Sequence, residues 1–375
     1  MKKKMLLVSD SLGGGGTEVA LVEFINHLDE KKYDVSVLLL NNDFEFKDRL
    51  KRKVRFILPK YKNKIWYNLT STYAFVGKAI KKINLNKYID FYSMALKNIK
   101  LNIDSYYDIA IDFYGYGSIT TAIVAKGVNA YKKAMWIHDE KMPWMDNSKR
   151  YFGYYNKIFC VSKSIKEAFD KHFPEEKGKC EVMYNMIDTN TIIQKSNEFY
   201  PKEFKNEKLN IVTVGRLTEQ KGYDISILAA AYLKKDKIPF DWYAIGDGRD
   251  KKKLLKLVSE HNLNNQFHFL GKKNNPYPYV KNCDVFVLPS RHEGYSIAIL
   301  EARILKKIVI TSDFPANKEQ IVDKQNGLIS KMNPYDLSNC IEKIYNDKKL
   351  AKKILQYLNT EEIDFGDQLA KLDYL

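Results

Sequence analysis

The sequence of 375 residues lacks several features that would assign it to a class of protein at once. It has no run of eighteen apolar residues, so no membrane-spanning helix is predicted. Its basic start, Met1 to Lys4, leads into only four apolar residues, which are too few for the core of a signal peptide. Its four cysteines lack the paired spacing of a zinc or redox site, and they indicate buried thiols in a reducing compartment. These absences predict a cytoplasmic protein.

Acidic residues are nearly missing from residues 51–100, which we call the basic–aromatic segment. Thirteen lysines and arginines occur there with one acidic residue, Asp90, and nine aromatic residues are interleaved with them. An AT-rich genome would explain the abundance of lysine but not the shortage of acids. Basic and aromatic side chains on a helical segment suit the anionic surface of a membrane. An ordinary solvated face is one alternative, and a nucleic-acid surface is the alternative that we favour least.

Strand-like and helix-like patterns alternate through most of the chain, which predicts an α/β architecture with mainly parallel sheets. The polar, aperiodic residues 188–208 indicate a linker between a first domain, 1–187, and a second domain, 209–345. Residues 346–375 are predicted as a helical tail. Two doubly wound domains that face each other would leave a cleft at the carboxyl ends of their strands, where ligands bind in such sheets. The predicted strands are 4–8, 34–40, 54–58, 108–112, 132–137, 157–161, 180–184, 209–215, 240–246, 266–270, 284–288 and 308–311, and helices are expected to be capped by Thr17 and Ser162.

Two glutamates follow the predicted strand 284–288. Glu293 lies in a polar turn, and Glu301 lies within a helix predicted from about Tyr295 to Leu305, so the two are about 12 Å apart along the helix axis. The backbone N–H groups of the first helical turn lie between them and favour an anion. This order of carboxylate, anion cradle and carboxylate matches the sugar hydroxyls, diphosphate and ribose of a nucleotide-sugar. The spacing alone is weak, because chance produces it in many helical chains.

A glycine-containing turn follows the first strand of each half. The run Gly13 to Gly16 lets the backbone approach a ligand closely, but Glu18 stands where a dinucleotide fingerprint needs its third glycine, and no Gly-Lys-Ser/Thr occurs. In the second half, Arg216 and Lys221 could neutralise a diphosphate without a metal ion. The alternatives are a flexible turn without a ligand and a pair of solvated surface charges.

Together these segments resemble the retaining glycosyltransferases of family 4, which have the GT-B fold of two Rossmann-like domains. The resemblance rests on Glu293 and Glu301, on Gly215-Arg216 with Lys221-Gly222, and on the Gly-Gly-Thr-Glu helix start. It is dense in the C-terminal half and thin in the N-terminal half, as expected where one half binds a common donor and the other a variable acceptor. Supporting segments are 184–188, 245–248, 269–271 and 326–328.

By position, the resemblance implies a role for each matching residue. Arg216 and Lys221 would hold the donor diphosphate and stabilise the leaving group as charge develops on it. Glu293 would contact hydroxyls of the sugar, and Glu301 would contact the ribose. Further contacts with the diphosphate, the base and the sugar, made mainly by the backbone, are implied for Gly15, Gly16, Gly271, Lys272, Gly294, Tyr295 and Ser296.

His138 follows a strand of the first domain and matches the family's histidine near the transferred sugar and the acceptor. Without the resemblance, a lone histidine would more often be structural. The neighbouring Asp139 and Glu140 could tune its charge or could simply be solvated.

No Asp-x-Asp pair occurs, which is the pair that metal-dependent sugar transferases of the other main fold use to bind a divalent ion. Its absence favours metal-independent transfer driven by Arg216 and Lys221, and we expect no cofactor. Retention of configuration could proceed by double displacement with a carboxylate nucleophile. The family resemblance instead implies front-face attack, and the sequence leaves both routes open.

The sequence therefore predicts a cytoplasmic, peripheral membrane enzyme that transfers a sugar from a nucleotide-sugar, with UDP as the favoured carrier. The predicted acceptor is a hydroxyl of a lipid-linked or polysaccharide intermediate in bacterial cell-surface glycan synthesis. One alternative is a sugar-nucleotide epimerase of the same fold, which needs no acceptor. Another is a non-catalytic partner that binds glycan or membrane and keeps a vestigial donor site.

Overall fold

The chain divides into two compact units, which are described separately. Unit 1 comprises residues 1–187 and 365–375, and unit 2 comprises residues 188–364. Each unit has one all-parallel β-sheet, as the alternating pattern predicts. This computed structural model describes residues 1–62, 90–140, 142–205, 207–366 and 368–375.

The sheet of unit 1 has seven strands in the order β3-β2-β1-β6-β7-β8-β9. Its central strands are continuous apolar runs, because a parallel sheet is covered on both faces; Met5, Leu6, Leu7 and Val8 are completely buried. Two further short strands, β4 and β5, form a separate antiparallel pair. The strands are β1 (Lys3–Ser9), β2 (Tyr33–Leu39), β3 (Arg55–Ile57), β4 (Lys60–Tyr61), β5 (Ile99–Lys100), β6 (Tyr107–Asp112), β7 (Ala130–Ile137), β8 (Lys157–Cys160) and β9 (Cys180–Val182).

The helices of unit 1 show one confirmed cap and one wrong one. Ser162 caps its helix as predicted, since its hydroxyl accepts a hydrogen bond from the Ile165 amide at 3.2 Å. Thr17 is not a cap, because its helix begins at Gly16, two residues earlier than predicted, with Gly15 as the N-cap. The α-helices are α1 (Gly16–His27), α2 (Phe91–Leu96), α3 (Ile119–Ala122) and α4 (Lys163–His172), with helical segments of other types at Lys47–Arg49, Ile123–Gly127, Met142–Tyr154, Pro174–Lys179 and Gln368–Leu372.

The sheet of unit 2 has six strands in the order β12-β11-β10-β13-β14-β15. The chain starts in the middle of the sheet, builds towards one edge, and returns to build towards the other, so β10 and β13 are neighbours although two strands intervene in sequence. The strands are β10 (Leu209–Val214), β11 (Phe240–Ile245), β12 (Phe267–Gly271), β13 (Val285–Leu288), β14 (Ile308–Ser312) and β15 (Gly327–Ser330). All twelve predicted strands of the chain are present, and β4, β5 and β15 were not predicted.

Eight α-helices of unit 2 lie among the described residues. They are α5 (Thr189–Ser196), α6 (Tyr223–Lys235), α7 (Lys251–Glu260), α8 (Tyr277–Asn282), α9 (Ile297–Ile304), α10 (Pro315–Lys318), α11 (Pro334–Asn346) and α12 (Lys348–Thr360), with a short helical turn at Glu219–Lys221. Within the described part of the chain, every helix is too short or too polar to cross a membrane.

Two of the predicted boundaries need correction. Residues 188–208 are not an aperiodic linker: Asp188 caps α5 by accepting a hydrogen bond from the Thr191 amide at 2.9 Å, and the segment packs within unit 2. The predicted tail, 346–375, is divided between the units. Its helix α12 buries Ile354 and Leu358 in the core of unit 2, whereas residues 365–375 belong to unit 1.

The loops at the carboxyl edge of the unit 2 sheet pack so closely that some positions admit only glycine. Gly246, directly after β11, has φ +148°, and an added Cβ would overlap the carbonyl oxygen of Gly215, directly after β10. Its amide also donates to the Gly271 carbonyl at 3.0 Å. Gly246 therefore fixes the spacing of three neighbouring loops.

We predict that Gly246→Ala lowers the free energy of unfolding of unit 2 by more than about 2 kcal/mol, because it adds backbone strain to a steric overlap. Urea denaturation followed by circular dichroism measures this. The matched control is Gly153→Ala, where no atom lies within 4 Å of an added Cβ. Equal unfolding midpoints for the two variants would show that the loops can move apart at little cost.

Candidate active site

The predicted donor-site residues of unit 2 lie mainly in two loops at the point where the strand order reverses. The first loop, residues 215–222, follows β10, and the second, residues 289–296, follows β13. The strands are paired through Ile211 with Val285 and Val212 with Phe286, so both loops leave the same edge of the sheet side by side. Ligands of open α/β sheets bind in this crevice.

A buried ion pair joins the two loops. The Nζ of Lys221 lies 2.6 Å from the Oε1 of Glu293, and the two side chains are only 15% and 9% exposed. Removing one member of such a pair leaves the other charge buried and costs about 3–5 kcal/mol. The second carboxylate oxygen of Glu293, Oε2, has no recorded partner within the described residues. The pair therefore leaves one nearly buried acceptor oxygen for a ligand.

Arg216 is a second cation of the first loop and lies outside this ion pair. It lies directly after Gly215, and its side chain is exposed and forms no ion pair with any described residue. The carbonyl of Gly215 accepts a hydrogen bond from the Tyr223 hydroxyl at 2.9 Å, which fixes the backbone before the arginine. Because Lys221 is paired with Glu293, Arg216 is the uncompensated cation of this loop.

A second ion pair links the loops at Arg291, to which the sequence assigned no role. Its guanidinium contacts both carboxylate oxygens of Asp224, at 2.8 and 2.6 Å, and its Nη1 donates to the Glu219 carbonyl at 2.7 Å. Burial raises the pKa of Asp224, but the hydrogen bonds and positive charge of Arg291 outweigh it and hold that pKa below its usual range. The partners are 67 residues apart, and neither belongs to a recognisable motif.

Helix α9 begins at Ile297, two residues later than predicted. The hydroxyl of Ser296 caps it by accepting from the Ile299 amide at 3.4 Å. The amide of Ser296 donates to the Oε1 of Gln320 at 2.9 Å, so this amide already has a partner within unit 2, and its expected contact with the donor stays a prediction. The amides of Ile297 and Ala298 have no recorded partner in the described part of the chain. They are the donors that the helix start offers to an anion.

The remaining donor-site predictions in unit 2 lie further along the same edge or on α9. Glu301 lies within α9, and its Oε1 accepts a hydrogen bond from the Tyr277 hydroxyl at 3.0 Å. Gly271 ends β12 with φ +70°. Its carbonyl accepts a hydrogen bond from the Gly246 amide, and an added Cβ would meet no atom within 4 Å, so the Cβ side of its backbone is open. Lys272 follows with an exposed side chain. Gly294 is buried, and Tyr295 is half-buried.

The glycine-rich turn of unit 1 is packed against carboxylates of the protein itself. The side chain of Glu18 lies against Gly15, and the side chain of Asp43 lies against Gly13, each where a Cβ would otherwise be. Glu18 is in the first turn of α1, where it offsets the positive end of the helix. Gly16 has open space where a Cβ would be. The turn therefore attracts an anion less than a bare helix start would.

His138 lies just after β7 and is only 8% exposed. Its Nε2 donates a hydrogen bond to the Phe113 carbonyl at 2.8 Å, which leaves Nδ1 as the acceptor nitrogen. Burial lowers the pKa of His138 to about 4, against a smaller opposing effect of the bond to Phe113. The imidazole is thus neutral near pH 7. Neither Asp139 nor Glu140 is among the causes of this shift.

A second buried titratable group, which sequence reasoning missed, lies at the same edge of the unit 1 sheet. Asp112 is the last residue of β6 and is completely buried. Burial raises the pKa of Asp112 to about 6, although hydrogen bonds from Thr121 and the Gly115 amide favour its charged form. The Thr121 hydroxyl donates to Oδ2 at 2.6 Å. The sequence signal that could have identified Asp112 is a carboxylate at the end of a central strand.

Comparison with known proteins identifies unit 2. Residues 194–359 match the family model described as Glycosyl transferases group 1. Unit 2 is a group 1 glycosyltransferase domain. It carries both loops described above, with Arg216, Lys221, Glu293 and Glu301.

The chain is also similar to curated proteins. Over 193 residues the chain is 32% identical to "N-acetylgalactosamine-N,N'-diacetylbacillosaminyl-diphospho-undecaprenol 4-alpha-N-acetylgalactosaminyltransferase" of Campylobacter jejuni, covering 51% of each chain. Over 165 residues it is 32% identical to the "O-antigen biosynthesis glycosyltransferase WclY" of Escherichia coli, covering 43% of this chain and 44% of that protein. The chain spans about half the length of the first curated relatives it matches.

The fold of the whole chain is also shown. The crystal structure of Anabaena HepE in complex with UDP and glucose superposes with a TM-score of 0.74 at 17% identity, covering 100% of both chains. Together with the group 1 domain and the two parallel sheets, this likeness establishes the GT-B fold.

The two buried groups of unit 1 give opposite dependences of stability on pH. Between about pH 4 and 6, the folded chain keeps a proton on Asp112 that the unfolded chain has released, so this contribution to stability falls as the pH rises. Below about pH 6.5, the unfolded chain binds a proton on the histidine that folded His138 excludes, so this contribution falls as the pH falls. A change of about two units in either pKa corresponds to about 3 kcal/mol. Because the two contributions change with pH in opposite directions, the two pH dependences nearly cancel.

We predict that Asp112→Asn makes the free energy of unfolding fall more steeply than in the wild type as the pH is lowered from 6.5 to 4.5. His138→Asn should have the opposite effect on the slope. Urea unfolding at several pH values measures both. Asp48→Asn, which changes an exposed aspartate, is the control and should keep the wild-type slope. Parallel profiles for Asp112→Asn and the wild type would contradict the assignment.

Proposed function

We propose that the chain is a retaining, metal-independent glycosyltransferase that transfers a sugar from a nucleotide-sugar to a hydroxyl acceptor. The observation that carries the proposal is the buried pair of Lys221 and Glu293 beside the uncompensated Arg216, at the strand-order reversal of a group 1 glycosyltransferase domain. This arrangement holds a cation for a diphosphate next to a fixed carboxylate oxygen for a hydroxyl. No protein cofactor is needed for these two tasks.

Each side chain contributes to a different part of the reaction. Arg216 binds the diphosphate through its planar fork of donors and stabilises the leaving group as charge develops. Lys221 keeps Glu293 in place and adds positive charge close to the same phosphate. Glu293 accepts a hydrogen bond from a sugar hydroxyl through Oε2. The amides of Ile297 and Ala298 add donors at the start of α9.

We further propose front-face substitution, in which the leaving phosphate receives the proton of the acceptor hydroxyl. Glu293 is bound to Lys221 through Oε1, which suits a carboxylate that positions the sugar rather than one that attacks it. Neutral His138 offers Nδ1 as a hydrogen-bond acceptor to the sugar or the acceptor hydroxyl. Glu301 is assigned to the ribose, and the backbone at Gly271 and Lys272 to the base.

The relatives support a donor and an acceptor class. The HepE structure contains UDP, and the Campylobacter jejuni relative is named for a diphospho-undecaprenol acceptor. We therefore propose a UDP-sugar donor and a lipid-linked intermediate of bacterial surface glycan synthesis as the acceptor. The diphosphate and hydroxyl groups that these molecules present are those that Arg216 and Glu293 are arranged to bind.

We also propose that unit 1 binds the anionic membrane surface that carries such an acceptor. Most of the basic–aromatic segment lies outside the described residues, but its two ends are described and meet in the pair of β4 with β5. There Lys60 stands directly opposite Lys100. Like charges in such positions are destabilising unless an anion lies between or over them. An adjacent groove of about 550 Å³ combines apolar and basic lining residues, including Leu96, Leu101, Lys97, Lys100 and Lys126.

We predict that Glu293→Gln abolishes sugar transfer while UDP still binds, because the variant loses the fixed carboxylate and not the diphosphate site. Arg216→Met should weaken UDP binding by at least about tenfold, as expected for loss of a charge-assisted contact. A panel of nucleotide-sugars with a lipid-diphosphate acceptor measures transfer, and calorimetry measures UDP affinity.

Lys252→Met, which removes an exposed cation of the same unit, is the matched control and should leave both quantities unchanged. Wild-type transfer rates in folded Glu293→Gln would refute the assignment of this carboxylate. Conversion of the nucleotide-sugar without any acceptor would indicate the epimerase instead.

We predict that exchanging Lys60, Lys62, Lys97 and Lys100 for glutamine reduces binding to vesicles containing phosphatidylserine by at least about tenfold, since each lysine near an anionic surface contributes about 1 kcal/mol. Vesicle co-sedimentation measures this, with neutral phosphatidylcholine vesicles for comparison. The control exchanges four exposed lysines of unit 2, Lys252, Lys253, Lys352 and Lys353. Equal binding to both lipids, or equal loss in both variants, would remove the membrane proposal.

A further inference from the structure

The loops that carry Lys221 and Glu293 are held together at a second place, which we call the arginine clamp and define as Arg291, Asp224 and the carbonyl of Glu219. The guanidinium of Arg291 reaches from the β13 loop to both other members, with distances of 2.6 to 2.8 Å. Arg291 is two residues before Glu293, and Glu219 is two residues before Lys221. The clamp therefore lies next to the ion pair on both loops.

The main chain adds to the same contact. The amide of Arg291 donates to the Gln220 carbonyl at 2.7 Å, and the side-chain amide of Gln220 donates to the His292 carbonyl at 3.1 Å. Gly222 closes the other end of the contact, because an added Cβ there would overlap the Pro289 carbonyl oxygen. Four of the five residues 289–293 thus contact residues 219–222, and Ser290 is the exception.

Only arginine can make this set of contacts. Its planar fork places two nitrogens on the two oxygens of Asp224 while Nη1 also reaches the Glu219 carbonyl. A lysine has one charged nitrogen and cannot hold both oxygens in a fixed plane. The side chains of Arg291 and Asp224 are 29% and 33% exposed, so solvent weakens their contribution to stability. Their main effect is on orientation.

We propose that Arg291, held by Asp224, is a positioning residue that sets the place of Glu293 relative to Lys221 and hence to the sugar. This inference rests on the proposed function of Glu293. Neither clamp side chain touches the reacting atoms, and both act through the loop. A displacement of about 1 Å in a positioned group lowers catalysis by roughly a hundredfold, so loss of the clamp affects turnover more than nucleotide binding.

The test compares Arg291→Lys, Arg291→Met, Asp224→Asn and the exchange Asp224→Arg with Arg291→Asp. We expect Arg291→Met to lower kcat by about ten- to a hundredfold, with UDP affinity within about twofold of the wild type because Arg216 is untouched. Arg291→Lys should be intermediate, since it keeps the charge and loses the fork. The exchange should recover part of the loss in kcat seen with Asp224→Asn.

A purely structural role predicts a different result. It lowers the unfolding midpoint and the folded fraction, while kcat per folded molecule stays at the wild-type value. Lys256→Met, which removes a cation from an exposed i,i+4 pair with Glu260, is the control for the loss of an ion pair. Unchanged kcat per folded molecule in Arg291→Met, or equal losses of kcat and UDP affinity, would overturn the proposal.

Amide hydrogen exchange separates this inference from the proposed function. Arg291→Met should speed exchange in residues 289–296 and 219–222, and leave β11 unchanged. If the wild type transfers no sugar, the proposed function fails, but faster exchange in these two loops alone still supports the positioning of Glu293 by the clamp. Wild-type exchange rates in both loops of the variant would refute the positioning, whatever the activity.

Discussion

The site depends on one constraint, which is that Lys221 and Glu293 must be buried together. The side chains of Lys221 and Glu293 are only 15% and 9% exposed, so either charge without the other would carry a large desolvation cost. The partners come from loops 72 residues apart, so only the adjacency of β10 and β13 brings them together. The strand order of the sheet is therefore a condition for the site. The glycines around it, such as Gly222 and Gly246, let the backbones come close enough.

What the sequence could predict here is what is encoded locally. Apolar runs mark the strands of parallel sheets, and polar, glycine-containing turns mark their ends, so all twelve predicted strands are present. The resemblance implied separate roles for Lys221 and Glu293, and their ion pair was not predicted. The pairing of Arg291 with Asp224 and the bond from Ser296 to Gln320 depend on side-chain direction across loops that only the folded sheet brings together. Residues 188–208 were misjudged because α5 is short, and its cap at Asp188 is a weak signal.

Both sheets are parallel and reverse their strand order, between β1 and β6 in unit 1 and between β10 and β13 in unit 2. They differ in the charge of the side chains at the carboxyl ends of their strands. In unit 1 the glycine turn is packed by Asp43 and Glu18, and the strand ends carry Asp112 and His138, which burial holds towards their neutral forms. Near pH 7 the imidazole of His138 is neutral and can bind a hydroxyl through Nδ1. In unit 2 the carboxylates of Glu293 and Asp224 are each paired with a cation, and Arg216 forms no ion pair with a described residue, so this edge suits an anion.

This difference is what a transferase with a charged donor and a neutral acceptor group requires. A diphosphate at the unit 1 edge would meet Glu18 and Asp43 at short range, and Coulomb repulsion there would oppose binding. At the unit 2 edge it meets Arg216 and the amides of Ile297 and Ala298, which have no partner among the described residues. The sign of the local charge, which the GT-B fold itself does not determine, therefore supports the proposal that unit 2 binds the donor.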